Sequence, residues 1–261
     1  MTTGRTRDPE SRWFGDREVS PDEKTGLVHG VFAQVARRYD LMNDLMSGGV
    51  HRRWKDRFVA LLAPRSGERL LDVAGGTGDI AFRLLDRAPG ARVIVADLTE
   101  DMVRVGRDRA LDGGRTGGEA GGDSGGLAFA VADAEALPFP DRSMDAYTIA
   151  FGLRNVTRID TALAEARRVL KPGGRFFCLE FSRVANPFLA RAYRLYSDAV
   201  IPRLGAVVAR DRESYAYLVE SIRRFPDQES LAGRLGGAGF ARVRWRDMTG
   251  GVVAVHSGFR V

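Results

Sequence analysis

The stretch Leu70-Leu71-Asp72-Val73-Ala74-Gly75-Gly76-Thr77-Gly78-Asp79 decides the fold. An apolar run of strand length meets an acidic residue, breaks into glycines and leads into a helical pattern. A strand of this kind opens a crevice at the carboxyl edge of a parallel sheet, where a ligand can lie against bare backbone. Upstream, Val28, Phe32, Val35, Ala36 and Tyr39 share one helical face, and a second helix is predicted over 51–62. Together they predict a helical lid over 28–62. Residues 1–25 are polar, charge-mixed and aperiodic, and read as a mobile arm ahead of a single domain over 26–261.

Downstream, strands and helices alternate. A helix over 79–87 precedes a strand over 92–96 that ends at Asp97, and a helix follows over 100–111. Eight glycines within 112–126 predict a flexible surface insertion. A strand over 127–132 leads to Asp133-Ala134-Glu135, and a strand over 144–151 stops at Gly152-Leu153-Arg154-Asn155. Thr157 and Asp160 form a capping-box pattern before a helix that Lys171-Pro172-Gly173-Gly174 ends. A fifth strand is expected over 175–180. The segment 186–225 is helical and aromatic and interrupts the alternation. A helix over 228–238 restores it, and strands over 242–247 and 252–256 flank Gly250-Gly251, a hairpin signal. Five βα units and a hairpin predict an α/β fold. Its seven-stranded, mostly parallel sheet has one antiparallel strand and helices on both faces.

The 261 residues are 44% hydrophobic and 28% charged, ordinary for a globular domain. No apolar run reaches bilayer length. The N-terminal residues lack an apolar core and mix Asp8, Glu10, Asp16 and Glu18 with arginines, which argues against a secretory or mitochondrial leader. Cys178 is the only cysteine, so no intrachain disulfide forms and a reducing compartment is the simple inference. The net charge of +6 is concentrated. Residues 37–57 hold six Lys or Arg against three Asp or Glu, and residues 183–224 hold eight Arg against four Asp or Glu. Basic clusters interleaved with Tyr and Phe suit nucleic acid or an anionic membrane surface, although a solvated basic face is commoner.

Two ligand classes compete for the glycine turn. A dinucleotide needs G-x-G-x-x-G, and Gly75-Gly76-Thr77-Gly78-Asp79-Ile80-Ala81 lacks the full pattern. Asp79 also puts a carboxylate where a pyrophosphate would sit. S-adenosylmethionine carries an ammonium, a carboxylate, a sulfonium, a ribose diol and an adenine, but no phosphate. Asp72 is placed for the ammonium through water, and the N–H groups of Gly75, Gly76, Thr77 and Gly78 for the carboxylate. Asp97 is placed for the ribose hydroxyls, Asp133 for the adenine amino group, and the Ala134 N–H for a ring nitrogen. Carboxylates at successive strand ends suit a cationic ligand. No metal is needed, and no metal-ligand cluster is visible in the sequence.

The chain resembles the C-methyltransferases of ubiquinone and menaquinone biosynthesis, class I S-adenosylmethionine-dependent enzymes with a Rossmann-like fold. Two segments carry the resemblance. One is Tyr39-Asp40, Met42-Asn43, Ser47, His51 and Trp54. The other is Arg168-Val169-Leu170-Lys171-Pro172-Gly173-Gly174, continuing to Glu180 and Ser182. Phe151-Gly152-Leu153-Arg154-Asn155-Val156, Tyr215-Ala216-Tyr217-Leu218 and His256-Ser257-Gly258 are similar too. The likeness runs from about residue 28 to the end. It implies cofactor contacts at Thr77, Asp97, Asp133 and Ala134. Many members have Ser where Ala150 stands, so one cofactor hydrogen bond is absent here.

The resemblance implies a polyprenylated quinol as acceptor. Carbon methylation then needs a phenolate, in-line alignment and exclusion of water. Arg154 and Asn155 are the candidates at the ring, with His51 as the candidate proton acceptor. The plain alternative for Arg154 is a pair with Glu180. Tyr39, Asn43, Tyr215 and Tyr217 are candidates to line the quinol pocket, against the commoner role of core packing. The basic windows would rest on anionic lipid at the inner face of the membrane, with the protein otherwise cytoplasmic. A homodimer or a quinone-biosynthesis complex stays open. So does a non-catalytic, cofactor-binding scaffold subunit of such a complex. A nucleic-acid methyltransferase would carry a target-base motif such as Asn-Pro-Pro-Tyr where Phe151-Gly152-Leu153-Arg154-Asn155 stands, so no nucleic-acid partner is expected.

Overall fold

The computed structural model describes residues 13–14, 17–20, 23–28, 30, 44, 47–115, 125–184, 191 and 212–261. Seven strands form the main sheet: β1 (Arg69–Val73), β2 (Arg92–Asp97), β3 (Gly126–Val131), β4 (Met144–Ala150), β5 (Leu170–Phe181), β6 (Phe240–Met248) and β7 (Val253–Arg260). Their order is β3-β2-β1-β4-β5-β7-β6. Strands β1 to β5 pair in parallel, and β7 lies antiparallel to both β5 and β6. One reversed strand in a seven-stranded sheet is the architecture expected from the alternation. The order reverses direction between β1 and β4, which places the crevice at the carboxyl end of β1.

Helices pack on both faces: α1 (His51–Leu62), α2 (Asp79–Arg87), α3 (Glu100–Asp112), α4 (Ile159–Val169), α5 (Arg212–Arg224) and α6 (Gln228–Gly237). Alternate strand residues point to opposite faces, so the sheet divides the core in two. Leu70, Val93 and Val95 join Phe58, Leu62, Ile80 and Leu84 of α1 and α2 in one cluster. Leu71, Val73 and Ile149 join Leu163, Val169, Leu231 and Leu235 of α4 and α6 in the other. No helix among the described residues is long and apolar enough to cross a membrane.

Three local expectations are corrected. The Thr157–Asp160 capping box does not form: α4 has no side-chain cap, and the Arg158 N–H instead donates to Glu135 Oε1 at 2.7 Å. The Thr157 hydroxyl is taken by Thr25, 3.0 Å away. The segment Lys171–Gly174 does not separate α4 from β5. Met144 pairs with Leu170 and Ala146 with Arg175, so these four residues bulge out of a strand that starts directly after the helix. Finally, order begins before residue 26: residues 23–28 are helical, and Val19 and Lys24 are buried. Within the Gly-rich insertion, residues 116–124 lie outside the described residues, as does most of 186–225.

Arg168 ties α4 to the corner after β3. Its guanidinium donates to the carbonyls of Leu137 and Phe139, each at 2.8 Å, and pairs with Glu165 and Asp141 at 2.7 Å each. That corner fixes the end of β3 against α4, and with it one wall of the crevice.

Candidate active site

A cleft enclosing about 770 Å³, its solvent mouth included, opens at the carboxyl ends of β1 to β4. Ala74 and Gly76 line it after β1, Asp97 and Thr99 after β2, and Asp133 and Ala134 after β3. Phe151, Gly152 and Asn155 close the β4 side. The turn after β1 follows from its sequence. Ala74, Gly76 and Gly78 all have positive φ, and a Cβ on Gly75 would lie 2.7 Å from Val95 Cγ1 and 2.8 Å from Asp72 Oδ2. Only glycine fits at Gly75.

The Asp97 carboxylate is oriented by two amides: Gly76 N–H donates to Oδ2 at 2.8 Å and Thr99 N–H to Oδ1 at 2.9 Å. Asp133 lies two residues beyond the end of β3, and its Oδ1 accepts from the Glu135 N–H at 2.8 Å. Asp72 departs from the expected placement. It is the penultimate residue of β1, fully buried beneath the glycine turn, and does not line the cleft. Thr148, its neighbour on β4, donates to Oδ1 at 2.8 Å, while Oδ2 has no partner. Burial raises its pKa to about 7, with Asp79 and Asp97 adding to the rise and Thr148 and Lys55 opposing it.

Asp79, in the first turn of α2, binds Lys55 at 2.8 Å and Arg83 at 3.1 Å. Burial opposes ionisation there, yet Lys55 and Arg83 hold the carboxyl below its usual range. The α2 N-terminus is thus already occupied by a carboxylate, which disfavours a pyrophosphate. A buried, half-satisfied carboxylate below the turn and two carboxylates on the cleft wall suit a cationic ligand without phosphate. The residues therefore fit S-adenosylmethionine. Thr77 and Gly78 shape the turn rather than line the cleft, and the Thr77 hydroxyl accepts from Arg109 at 2.8 Å.

Arg154 sits on the turn after β4, but its guanidinium is buried against β5. Nη1 lies 2.9 Å from Glu180 Oε1 and also meets the Phe151 carbonyl, and the Arg154 N–H donates to Glu180 Oε2 at 3.3 Å. The pair with Glu180 is formed. Burial pushes the Glu180 carboxyl up against the pull of Arg154. The guanidinium also lies over Phe181, 5.4 Å from the ring centre. Trp54 of α1 packs on Phe151 and Phe181 at 6.3 Å each, making an aromatic cluster beside the ion pair.

His51 is buried at the start of α1, with Nε2 3.1 Å from Asp44 Oδ1 and Nδ1 without a partner. Burial, then Lys55, lowers its pKa to about 4, so the ring is neutral near pH 7. Tyr217 of α5 is buried, and its hydroxyl donates to Asn155 Oδ1 at 3.1 Å. Asn155 therefore keeps its amide N–H₂ for the cleft. Tyr39 and Asn43 lie outside the described residues, as does the side chain of Tyr215. Among the described residues no cluster of His, Cys, Asp or Glu is arranged to hold a metal ion.

Several contributors carried weak sequence signals or none. Thr148 is a hydroxyl in an apolar central strand, a signal that could have marked it as a partner for Asp72. Lys55 reads as one more surface charge but is buried against Asp79. Thr25 and Val28, which also line the cleft, lie where the pattern gives an arm and the first turn of a helix.

The profile of the ubiE/COQ5 methyltransferase family matches residues 18–260. A relative from Paracoccus denitrificans, named ubiquinone/menaquinone biosynthesis C-methyltransferase UbiE, is 59% identical over 254 residues, 97% of this chain and 98% of its own. A relative of the same name from Methylobacterium nodulans is 56% identical over 259 residues, again 97% and 98%. Among solved structures, an S-adenosylmethionine-dependent methyltransferase from Aquifex aeolicus matches with a TM-score of 0.57 at 16% identity, covering 79% of this chain and 89% of that one. An N-methyltransferase from Haemonchus contortus, in complex with phosphomonomethylethanolamine and S-adenosylhomocysteine, gives 0.56 at 15%, covering 78% and 52%. The structural likenesses show the fold. The family match and the near-full-length relatives go further: the chain belongs to the ubiE/COQ5 methyltransferase family.

Proposed function

We propose that the protein methylates a ring carbon of a polyprenylated quinol in ubiquinone biosynthesis, menaquinone biosynthesis or both. The acceptors would be 2-polyprenyl-6-methoxy-1,4-benzoquinol and demethylmenaquinol. The observation that carries this reading is the turn after β4. It gives Phe151, Gly152 and Asn155 to the cleft and Arg154 to the aromatic cluster beside it. When bound, S-adenosylmethionine supplies an electrophilic methyl group.

The chain's own residues do the rest. Asp97 accepts the ribose hydroxyls, and Asp133 with the Ala134 N–H takes the adenine edge. Asn155, its carbonyl oxygen engaged by Tyr217, donates its amide into the cleft. A phenolate is a far better carbon nucleophile than a phenol, so negative charge on the ring oxygen needs support. Arg154, buried in its pair with Glu180 and outside the cleft lining, holds the β4 turn in place, and an arginine does not serve as the base itself. His51 lies outside the cleft lining, with its pKa lowered to about 4 by burial, so it holds the start of α1 against Asp44 rather than taking the proton. Trp54, Phe151 and Phe181 keep water from this side.

A complementation experiment tests the reading. In a strain lacking its own quinol C-methyltransferase, the chain should restore the methylated quinone. Persistence of only the unmethylated precursor, with the protein present, would contradict it. The acceptor's prenyl tail is insoluble in water, so the basic windows 37–57 and 183–224 are assigned to anionic lipid. The protein should float with anionic vesicles and not with neutral ones, and indifference to lipid charge would remove this part.

A further inference from the structure

The cleft has one wall that no strand end supplies. Thr25 and Val28 line it together with the turns after β1 to β4. Two contacts among the described residues anchor their segment to the rest of the chain. The Thr25 hydroxyl is hydrogen-bonded to the Thr157 hydroxyl at 3.0 Å, which bridges it to the turn after β4 across 132 positions of sequence. Val28, 7% exposed, lies in the same apolar cluster as Trp54, Phe151, Phe181 and Tyr217. Val19 and Lys24 are buried as well, at 6% and 5%. The turn begins at Ser20, whose carbonyl accepts from Lys24 N–H at 2.9 Å and whose hydroxyl accepts from Glu23 N–H at 3.2 Å.

A polar arm with no role would not bury a lysine or bring a threonine to a second threonine on the cleft rim. The two hydroxyls form a neutral bond at the edge of a partly apolar cleft, a position where its net worth depends on water being kept out. We propose that residues 23–28 form the outer wall of the cofactor site. In this proposal the Thr25–Thr157 bridge is a positioning contact that sets affinity for S-adenosylmethionine. The proposal rests on the methyltransferase reading of the cleft. It assigns to this segment, and to Thr157, a part in cofactor binding that the glycine turn and the strand-end carboxylates do not fill. Val28 fixes the wall to the core, and Thr25 fixes it to the β4 turn, next to Asn155 and Val156. Occupancy of the cleft and order in the segment are then two readings of one equilibrium.

The test uses the full chain and S-adenosylhomocysteine as probe, by calorimetric titration. Thr25→Val and Thr157→Val are nearly isosteric and remove the same bond. Each should weaken binding about five-fold. The double variant should be no weaker than Thr25→Val alone, because the Thr25–Thr157 contact is shared. Amide exchange at residues 23–28 should slow when the probe binds the unaltered chain, and slow less in Thr25→Val. Affinities within about two-fold of the unaltered chain, with exchange at 23–28 indifferent to the probe, would overturn the proposal. Asp97→Asn separates the two levels. If it loses affinity while the threonine variants do not, the wall is wrong and the cofactor site stands. If the unaltered chain does not bind the probe, both fall.

Discussion

At the scale of single residues, the site joins two buried charges of opposite fate. Asp72 has one oxygen on Thr148 and one with no partner, under a turn that only glycine can make. Its folded pKa of about 7 is above its ordinary value of 3.8. The native state therefore keeps a proton that the unfolded chain has lost, and stability falls as pH rises from about 4 to about 7. Asp72→Asn should flatten that slope in urea unfolding of the ligand-free protein and weaken cofactor affinity; an unchanged slope would contradict the assignment. Arg154 and Glu180 are the opposite case, a buried pair with both members present. Removing one leaves an uncompensated buried charge, so Glu180→Gln should cost about 3–5 kcal/mol in unfolding free energy. A loss below about 1 kcal/mol, the worth of an exposed pair, would mean that the pair is solvated. A place on the cleft was legible where chemistry and strand ends coincide, as at Asp97 and Asp133. It was not legible for Lys55 or Thr25, because burial of a polar side chain is decided by elements distant in sequence.

At the scale of elements, boundaries in the chain followed the patterns closely. Helix α1 runs over His51–Leu62 and α2 over Asp79–Arg87, as their periodicity and stop signals require. The departures come from tertiary partners overriding local chemistry. Thr157 reads as a helix cap, but its hydroxyl is used by Thr25. Lys171-Pro172-Gly173-Gly174 reads as a helix stop, but the chain passes directly into β5 and bulges. This bulge lies at the amino end of β5, away from the cleft. Half of the second signature therefore serves the fold, through Arg168 on the corner carbonyls and Lys171 on Asp145 at 2.6 Å. A Cβ on Gly174 would lie 2.7 Å from the Lys171 carbonyl oxygen and 3.1 Å from Leu170 Cδ2. Gly174→Ala should lower stability by about 1–3 kcal/mol and leave affinity for S-adenosylhomocysteine unchanged. Loss of affinity with unchanged stability would move the signature into the site.

At the scale of the whole molecule, the sheet order brings the cleft-lining turns after β1 to β4 to one edge, and the switch point between β1 and β4 sets where the cleft lies. That much follows from alternation and right-handed crossovers, so the fold was readable before the packing was. The acceptor side was not: Tyr39, Asn43 and most of 186–225 lie outside the described residues, and packing between distant segments leaves no periodic trace. The net charge of +6 gives one consequence at this scale. Association with anionic vesicles should weaken steeply between low and physiological salt, where the screening length shortens to about 8 Å. Salt-independent association, measured by co-sedimentation, would point to apolar insertion instead. The central claim is methyl transfer to a quinol ring carbon. Incubating the purified chain with methyl-labelled S-adenosylmethionine and reduced short-chain benzoquinol and naphthoquinol acceptors tests it most directly. The account predicts label on a ring carbon of at least one acceptor; cofactor bound and no label on either would contradict it.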